Sequence, residues 1–277
     1  MKTRRGRLNT TEFVDDKVIR KIGMVREEVR PYRLKVESWA LSQARLRGVN
    51  VPCVINYYLD KDGREVLVLE RIQGNHLIRQ CSQENILCMS KVCDQIISLS
   101  NAPLDRGWGW INPSTMTGVS DTWQSFLLLF VQTYHKTFIE KQILGESHFQ
   151  IVYRAIDSID LNGLKPCLVH RDIKPTNIIN GEDGRVWIID WENTILGDPI
   201  YDLATFGVRY GHGILWKSLV LAYGLDVSSI KYSLYEIIGL IGIVDFYQEY
   251  RINYRGRQKQ LCKLIQRLTQ NPLIKNI

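Results

Sequence analysis

The chain has 277 residues, of which 45% are hydrophobic and 23% are charged, and its formal net charge is +7 at pH 7. This length and composition suit one large domain or two lobes with a substantial buried core, and they exclude a disordered protein. The basic residues are scattered apart from Lys2–Arg7 and Arg251–Lys259. We interpret both clusters as solvated surface rather than as a nucleic-acid-binding face.

The cysteines and the apolar runs indicate the compartment of the protein. The six cysteines form no C-x-x-C pair and have no histidines at zinc-ligand spacing, which is typical of reduced thiols. The longest apolar runs, Phe126–Val131 and Ile237–Val244, are too short to span a bilayer, and no secretory signal follows the basic first residues. We therefore expect a cytoplasmic protein whose partners include neither a membrane nor a nucleic acid.

The first quarter of the chain is predicted to form a small sheet with one helix against it. The apolar spacing over Arg33–Arg47 predicts the helix, which Gly48 ends. A turn at residues 60–63 joins the last two strands into a hairpin. The predicted strands are Glu12–Asp16, Lys17–Ile22, Val54–Leu59 and Glu65–Leu69.

After Gly74 the spacing of apolar residues becomes helical. This change predicts a boundary between an N-terminal nucleotide-binding lobe of residues 1–74 and a C-terminal helical lobe of residues 75–277, which holds the catalytic loop and the acceptor site. Either Asp121 or Thr122 is expected to cap the second helix. The predicted helices are Ser82–Ser100, Asp121–Leu144, Ile151–Ile159, Leu203–Val208, Ile214–Tyr223 and Ser228–Gln248.

Two strand ends between these helices carry the residues that suggest chemistry. The segment His170–Asn177 reads H-R-D-x-x-x-x-N, a loop that presents Asp172 and Asn177, and Asp190 ends a second apolar strand. Phosphoryl transfer from a metal-bound nucleotide needs one group that takes a hydroxyl proton and oxygen ligands for a hard cation. Three matching residues in strand-end context favour this chemistry over aspartates that only cap loops.

The segment Asp190–Ala204 is similar to the D-W-E, G-D-P and D-L-A signature of the aminoglycoside phosphotransferase and choline kinase-like family. The resemblance implies an α+β, protein-kinase-like bilobal fold with a small β-rich N-terminal lobe and a larger α-helical C-terminal lobe. It also implies that the γ-phosphate of ATP is transferred to a hydroxyl group of a small molecule, with Mg²⁺ as cofactor. A small-molecule hydroxyl acceptor is therefore the expected partner.

The resemblance assigns roles by position. Asp172 matches the catalytic base, and Asn177 and Asp190 match the magnesium ligands. His170 and Asp202 match the residues that support the catalytic loop.

Two residues depart from the usual family pattern. Arg171 and Lys174 stand where the family usually has glycine and histidine, as in Ser/Thr protein kinases. Lys174 is expected to offset charge on the transferred phosphoryl group and is a second catalytic candidate. A protein kinase is therefore one alternative, although Trp191–Glu192 and the eleven residues between Asp190 and Asp202 (202 − 190 − 1) oppose it. A non-catalytic nucleotide-binding module is the other.

The nucleotide-binding residues are less marked in the sequence. Gly6–Thr11 is the candidate phosphate loop, with Asn9 and Thr10 as contacts, although it lacks the G-x-G-x-x-G pattern. Backbone groups near Glu70 and Ile72, where the hairpin ends, are expected to meet adenine.

Lys21 is the favoured lysine for the nucleotide phosphates. It is expected to share a strand face with Ile19, and Glu37 on the predicted helix is its expected partner. Lys35 is the rival, but it lies only two residues before Glu37 and so belongs more naturally to the helix. A surface lysine without a role remains the alternative for both.

The acceptor cannot be identified from the sequence. Glu192 is expected to face it, and Trp108 and Trp110 either stack on it or serve as buried anchors. The basic net charge mildly disfavours a polycationic antibiotic, while choline-like amines, sugars, amino-alcohols and nucleoside antibiotics stay open.

Overall fold

The start of the chain forms an antiparallel five-stranded sheet. The computed structural model describes residues 2–5, 9–23, 32–77 and 82–275, and the strand order in this sheet is β1-β2-β3-β5-β4. The hairpin predicted around residues 60–63 joins β4 to β5. The strands are β1 (Lys2–Arg5), β2 (Asn9–Phe13), β3 (Val18–Gly23), β4 (Val54–Leu59) and β5 (Glu65–Glu70).

One helix, α1 (Arg33–Leu46), packs against this sheet as predicted. Its apolar residues recur every three or four positions, so that Leu34 and Leu41 face the same cluster as Leu67 and Leu69 of β5. Glu37 lies on the same buried side of the helix and therefore points towards the sheet. Gly48, with φ of +79°, follows the end of α1.

The rest of the chain is mainly helical, which confirms the predicted α+β class. Ser82 caps α2 by accepting a hydrogen bond from the backbone N–H of Asn85, and Thr122 caps α3 in the same way. No helix among the described residues is long and apolar enough to cross a membrane. The helices are α2 (Gln83–Ser100), α3 (Trp123–Glu140), α4 (Glu146–Ser158), α5 (Ile200–Tyr210), α6 (Ile214–Tyr223), α7 (Ile230–Glu249), α8 (Arg255–Leu268) and α9 (Pro272–Lys275).

Short strands interrupt the helices more often than predicted. They form a three-stranded sheet in the order β11-β10-β6 and a four-stranded sheet in the order β8-β7-β12-β9. The expectation that only the strands of the catalytic segment interrupt the helices is wrong for β7, β8 and β12. The strands are β6 (Gly74–His76), β7 (Trp108–Asn112), β8 (Thr117–Ser120), β9 (Cys167–Val169), β10 (Ile178–Gly181), β11 (Val186–Ile188) and β12 (Ile195–Gly197).

Two apolar clusters form the core. One joins α3, α4, α7 and α8, and the other joins α1 and β5 to α2, α6 and the strands β9–β11. The second cluster therefore crosses the boundary predicted near Gly74, and the division into residues 1–74 and 75–277 stays a prediction. At Gly74 itself the chain enters β6, which pairs with β10.

Candidate active site

A cavity of about 1460 Å³ is lined by the five-stranded sheet and α1 on one side and by the helical part on the other. Pockets for one small ligand usually measure roughly 300–1,000 Å³, so this cavity has room for more than one. The predicted site residues that line it are Asn9, Lys21, Glu37, Glu70, Ile72, Asp172, Lys174, Asn177 and Asp190.

Lys21 lies at the centre of a cluster of carboxylates. The register of β3 places Lys21 on the same face as Ile19, and both line the cavity. The ammonium Nζ donates hydrogen bonds to Glu37 Oε2 at 2.6 Å and to Asp190 Oδ1 at 2.8 Å, and it lies 3.9 Å from Glu192 Oε2. The predicted pairing of Lys21 with Glu37 is therefore present. The rival, Lys35, is on α1 and is not among the lining residues.

Burial and charge shift the pKa values within this cluster. Burial raises the pKa of Glu37 to about 7, although the charge of Lys21 acts to lower it. Burial also opposes the charged form of Asp190, but the charge and hydrogen bond of Lys21 outweigh it and lower the pKa of Asp190 to about 2. For Lys21, the neighbouring carboxylates overcome burial and raise its pKa above the usual value. The ammonium stays protonated, and Asp190 stays ionised at neutral pH.

The same cluster has the donor set of a divalent-cation site. Ligand atoms of Glu37, Asp190 and Glu192 lie within 4.8 Å of one another. The three carboxylates have more oxygen atoms than the single ammonium of Lys21 engages. The remaining oxygens are of the type that binds hard cations such as Mg²⁺.

Asp172 lies in the loop after β9, where it meets Asn177, Lys174 and Arg209. The side-chain Nδ2 of Asn177 donates to the backbone oxygen of Asp172 at 3.0 Å and to its Oδ2 at 3.1 Å. Lys174 Nζ also contacts Oδ2, and the guanidinium of Arg209 contacts Oδ1. Both oxygens of Asp172 are thus paired with cations.

Asp202 and His170 fix the loop that carries Asp172. Asp202 accepts the backbone N–H groups of His170 and Arg171 at 2.7 and 2.6 Å. His170 Nδ1 accepts the backbone N–H of Asp172, and its Nε2 donates to the backbone oxygen of Ile189. Arg171 has φ of +64°, a left-handed conformation that is costly for a residue other than glycine. The carboxylate of Asp202 offsets this cost and ties the loop to α5.

Two placements differ from the predictions, and one predicted segment is not described. Thr10 is not among the lining residues, because alternate residues of β2, including Asn9, face the cavity. Glu192 lies beside Lys21 and accepts a hydrogen bond from Asn9 Nδ2 at 2.6 Å, so it belongs to the lysine cluster rather than to the acceptor side. Residues 6–8 of the predicted phosphate loop lie outside the described residues.

The tryptophan pair separates into two environments. Trp110 lines the cavity, whereas Trp108 is buried, with its ring 5.7 Å from that of Trp123. Only Trp110 is therefore placed to meet an acceptor.

The sequence reasoning missed Arg209 and Arg257. Arg209 follows Asp202 by seven residues on α5 (209 − 202 = 7), which is about two helical turns and places both residues on the same face of the helix. This spacing is the sequence signal that could have identified Arg209. Arg257 belongs to the basic cluster that we interpreted as solvated surface, and that interpretation is wrong for this residue. It donates to the backbone oxygens of Val208 and Arg209 at 2.5 and 2.7 Å and so caps the end of α5.

The fold and this cavity define a kinase-like phosphotransferase. The chain belongs to the phosphotransferase enzyme family, whose model matches residues 34–226, most of the chain. The family resemblance and the enzyme class predicted from the sequence are thereby confirmed.

Solved structures of similar fold agree with this assignment. An apo thermostable mutant of aminoglycoside phosphotransferase APH(4)-Ia is 17% identical, covers 99% of this chain and 94% of its own, and has a TM-score of 0.66. A ternary complex of that enzyme with AMP-PNP and hygromycin B is 16% identical, with coverages of 99% and 92% and a TM-score of 0.68. The GDP and kanamycin complex of APH(2")-IIia is 16% identical, with coverages of 97% and 92% and a TM-score of 0.67. The predicted kinase-like fold is confirmed.

Proposed function

We propose that this protein transfers the γ-phosphate of ATP to a hydroxyl group of a small molecule in a magnesium-dependent reaction. The observation that carries the proposal is the convergence of Lys21, Asp172, Asn177 and Asp190 on one cavity. Two of the similar structures hold a nucleotide together with an antibiotic, which adds support for a nucleotide and a small-molecule acceptor.

The residues fit a nucleotide bound with Mg²⁺. Among the described residues, the side-chain amide of Asn177 makes two hydrogen bonds, both through Nδ2, so Oδ1 is the atom available to a cation. Asp190 supplies an ionised carboxylate, and Lys21 supplies charge for the phosphates. When bound, the metal ion neutralises phosphate charge.

The remaining chemistry belongs to side chains of this chain. Asp172 orients the acceptor hydroxyl and accepts its proton as the oxygen bonds to the γ-phosphorus and the bond to ADP breaks. Lys174 offsets charge that develops on the transferred group. Backbone groups near Glu70 and Ile72, which line the cavity beyond Lys21, hold the adenine.

A small molecule suits this site better than a protein substrate. The segment from Asp190 to α5 is short, and most of its side chains are buried, including Trp191 and Leu196. It therefore offers little surface on which a peptide would dock.

The first prediction concerns Asp172. We expect Asp172→Asn to bind ATP normally but to turn over at least about 100-fold more slowly, because general-base catalysis contributes roughly 10²–10⁴-fold. The measurement is ADP release and product mass with an acceptor panel, alongside ATP binding by calorimetry. The exposed Asp160→Asn serves as the matched control. Equal turnover of Asp172→Asn and wild type would refute the role of Asp172.

A further inference from the structure

The part of the cavity beside Asp172 has an unusual concentration of positive charge. We call this part the acceptor half; it is lined by Asp172 and Lys174 of the catalytic loop and by side chains of β7, α3, α5, α7 and α8. Its charged members are Arg171, Asp172, Lys174, Arg209, Asp245, Glu249 and Arg257.

Two of the four cations contact the reacting carboxylate, and a third is next to it in the sequence. Lys174 and Arg209 each contact one oxygen of Asp172. Arg171 is adjacent in sequence, and its guanidinium lies 5.5 Å from the centre of the Phe130 ring. Burial raises the pKa of the Tyr201 phenol, whereas the charges of Arg171 and Arg209 act to lower it, and all three side chains line the cavity. Asp172 therefore pairs with two cations, and the charge of Arg171 is not paired with Asp172 by any contact among the described residues.

The carboxylates on the opposite wall do not reverse this balance. Asp245 and Glu249 lie on α7 and favour a cation, but Glu249 is exposed to solvent and its field is screened. Arg257, the fourth cation of the acceptor half, is held by backbone oxygens, which carry no net charge. The four cations thus outnumber the three carboxylates, and two of them, Lys174 and Arg209, contact the reacting group.

This arrangement has a consequence for the acceptor. A polycation such as kanamycin would meet like charges beside Asp172, which oppose its binding. Guanidinium groups, in contrast, bind carboxylate and phosphate groups through paired hydrogen bonds. An anion that takes over the charge of Arg209 would also free Oδ1 of Asp172 for the acceptor hydroxyl.

Building on the proposed function, we propose that the acceptor carries an anionic group, a carboxylate or a phosphate, beside its reacting hydroxyl, and that Arg171 and Arg209 bind this group. The proposal distinguishes the site from one built for a polycationic antibiotic.

The test compares compounds that differ in charge, four of which share the carbon skeleton of glucose. Glucose 6-phosphate and gluconate are the anions, glucose is neutral, and glucosamine and kanamycin are cations. Acceptor-stimulated ADP release and product mass are measured with the full chain, ATP and Mg²⁺. We expect kcat/KM for at least one anion to exceed that for glucose by about tenfold or more, and the cations to fall below glucose. The two anions separate a phosphate group from a carboxylate.

Variants assign the preference to the arginines. Arg171→Gln should reduce the advantage of the anion over glucose about tenfold, and Arg171→Lys should restore part of it. Arg154→Gln on the exposed face of α4 removes the same charge far from the cavity and should leave the advantage intact. Each comparison is the ratio of kcat/KM for the anion to kcat/KM for glucose in one variant. A partial loss of folded protein lowers both values equally and leaves this ratio unchanged.

Several results would overturn the proposal. They are equal use of glucose and the anions, a preference for glucosamine or kanamycin, an unchanged ratio in Arg171→Gln, or no stimulation by any compound. Failure of the proposed function has a different signature, since ATP hydrolysis in the absence of acceptor would then be independent of Mg²⁺ and of Asp190. Phosphorylation of kanamycin alone would leave the proposed function standing while removing this inference.

Discussion

At the scale of single residues, Lys21 shows how one side chain organises the nucleotide side of the cavity. It contacts Glu37 on α1 and Asp190 after β11, and it lies near Glu192, so three separate segments meet at one ammonium. Without this cation the three carboxylates would be left facing one another, which is costly in a buried site.

We therefore predict that Lys21→Met weakens ATP use much more than Lys35→Met does. The ammonium of Lys21 is placed to meet phosphates, whereas Lys35 is outside the cavity, so we expect kcat/KM for ATP to fall about 100-fold in the first variant and less than about twofold in the second. Steady-state kinetics with varied ATP provide the measurement. A larger loss in Lys35→Met would assign the phosphate contact to the rival lysine.

The catalytic and metal-binding residues predicted from the sequence lie in short contiguous motifs. Asp172, Asn177 and Asp190 belong to two such motifs at strand ends, and the structure brings all three to the cavity. Arg209 and Arg257 have no local motif. Their places depend on how α5 and α8 pack, which the sequence of either helix alone does not specify.

At the scale of elements, Gly74 decides how β6 joins the sheet next to the catalytic segment. Its φ is +148°, and a Cβ at this position would lie 2.2 Å from the backbone oxygen of Asn180. The paired strand β10 follows directly after Asn177, so this close approach positions a segment of the site.

We predict that Gly74→Ala lowers the free energy of unfolding by about 2–4 kcal/mol, because it combines backbone strain with a clash against backbone. Gly63→Ala is the matched control, since Gly63 also has positive φ but its added Cβ has nothing within 4 Å. There we expect a loss of about 1 kcal/mol. Urea denaturation of both variants measures the difference, and equal losses would show that the clash at Gly74 relaxes.

Most of the helices are predictable from the sequence, whereas several of the short strands are not. α6 was predicted at its observed bounds, because ten residues of helical periodicity give a strong local signal. β12 has three residues and pairs with β7, which lies 85 residues earlier (195 − 110). A strand this short with so distant a partner has no local sequence pattern that predicts it. α8 is absent from the predicted helices because its many basic residues obscure the stripe formed by Leu261, Leu264 and Leu268.

At the scale of the whole molecule, the cavity lies between the two parts of the chain, so a ligand that fills it should stabilise the entire fold. We predict that AMP-PNP with Mg²⁺ at about 100 times its Kd adds about 2.7 kcal/mol. This corresponds to a rise of roughly 5–10 °C in Tm. Differential scanning calorimetry measures the shift. In Asp190→Asn we expect Mg²⁺ to add nothing to the shift produced by AMP-PNP alone, and an undiminished effect of Mg²⁺ would exclude Asp190 as a ligand.

The overall architecture was predicted by the family resemblance more than by periodicity. Asp190–Ala204 pointed to a kinase-like fold, and the solved structures of similar fold agree over nearly the full chain. The division near Gly74 stays a prediction, and α1 and β5 share an apolar cluster with α2 and α6.

That shared cluster constrains how ligands enter and leave. If the two walls of the cavity swung apart as independent bodies, the apolar cluster that joins α1 and β5 to α2 and α6 would be divided, and its newly exposed faces would meet water. Ligands therefore exchange at a lower free-energy cost when packed elements slide and side chains rotate at the rim of the cavity than when the two walls open about a wide hinge.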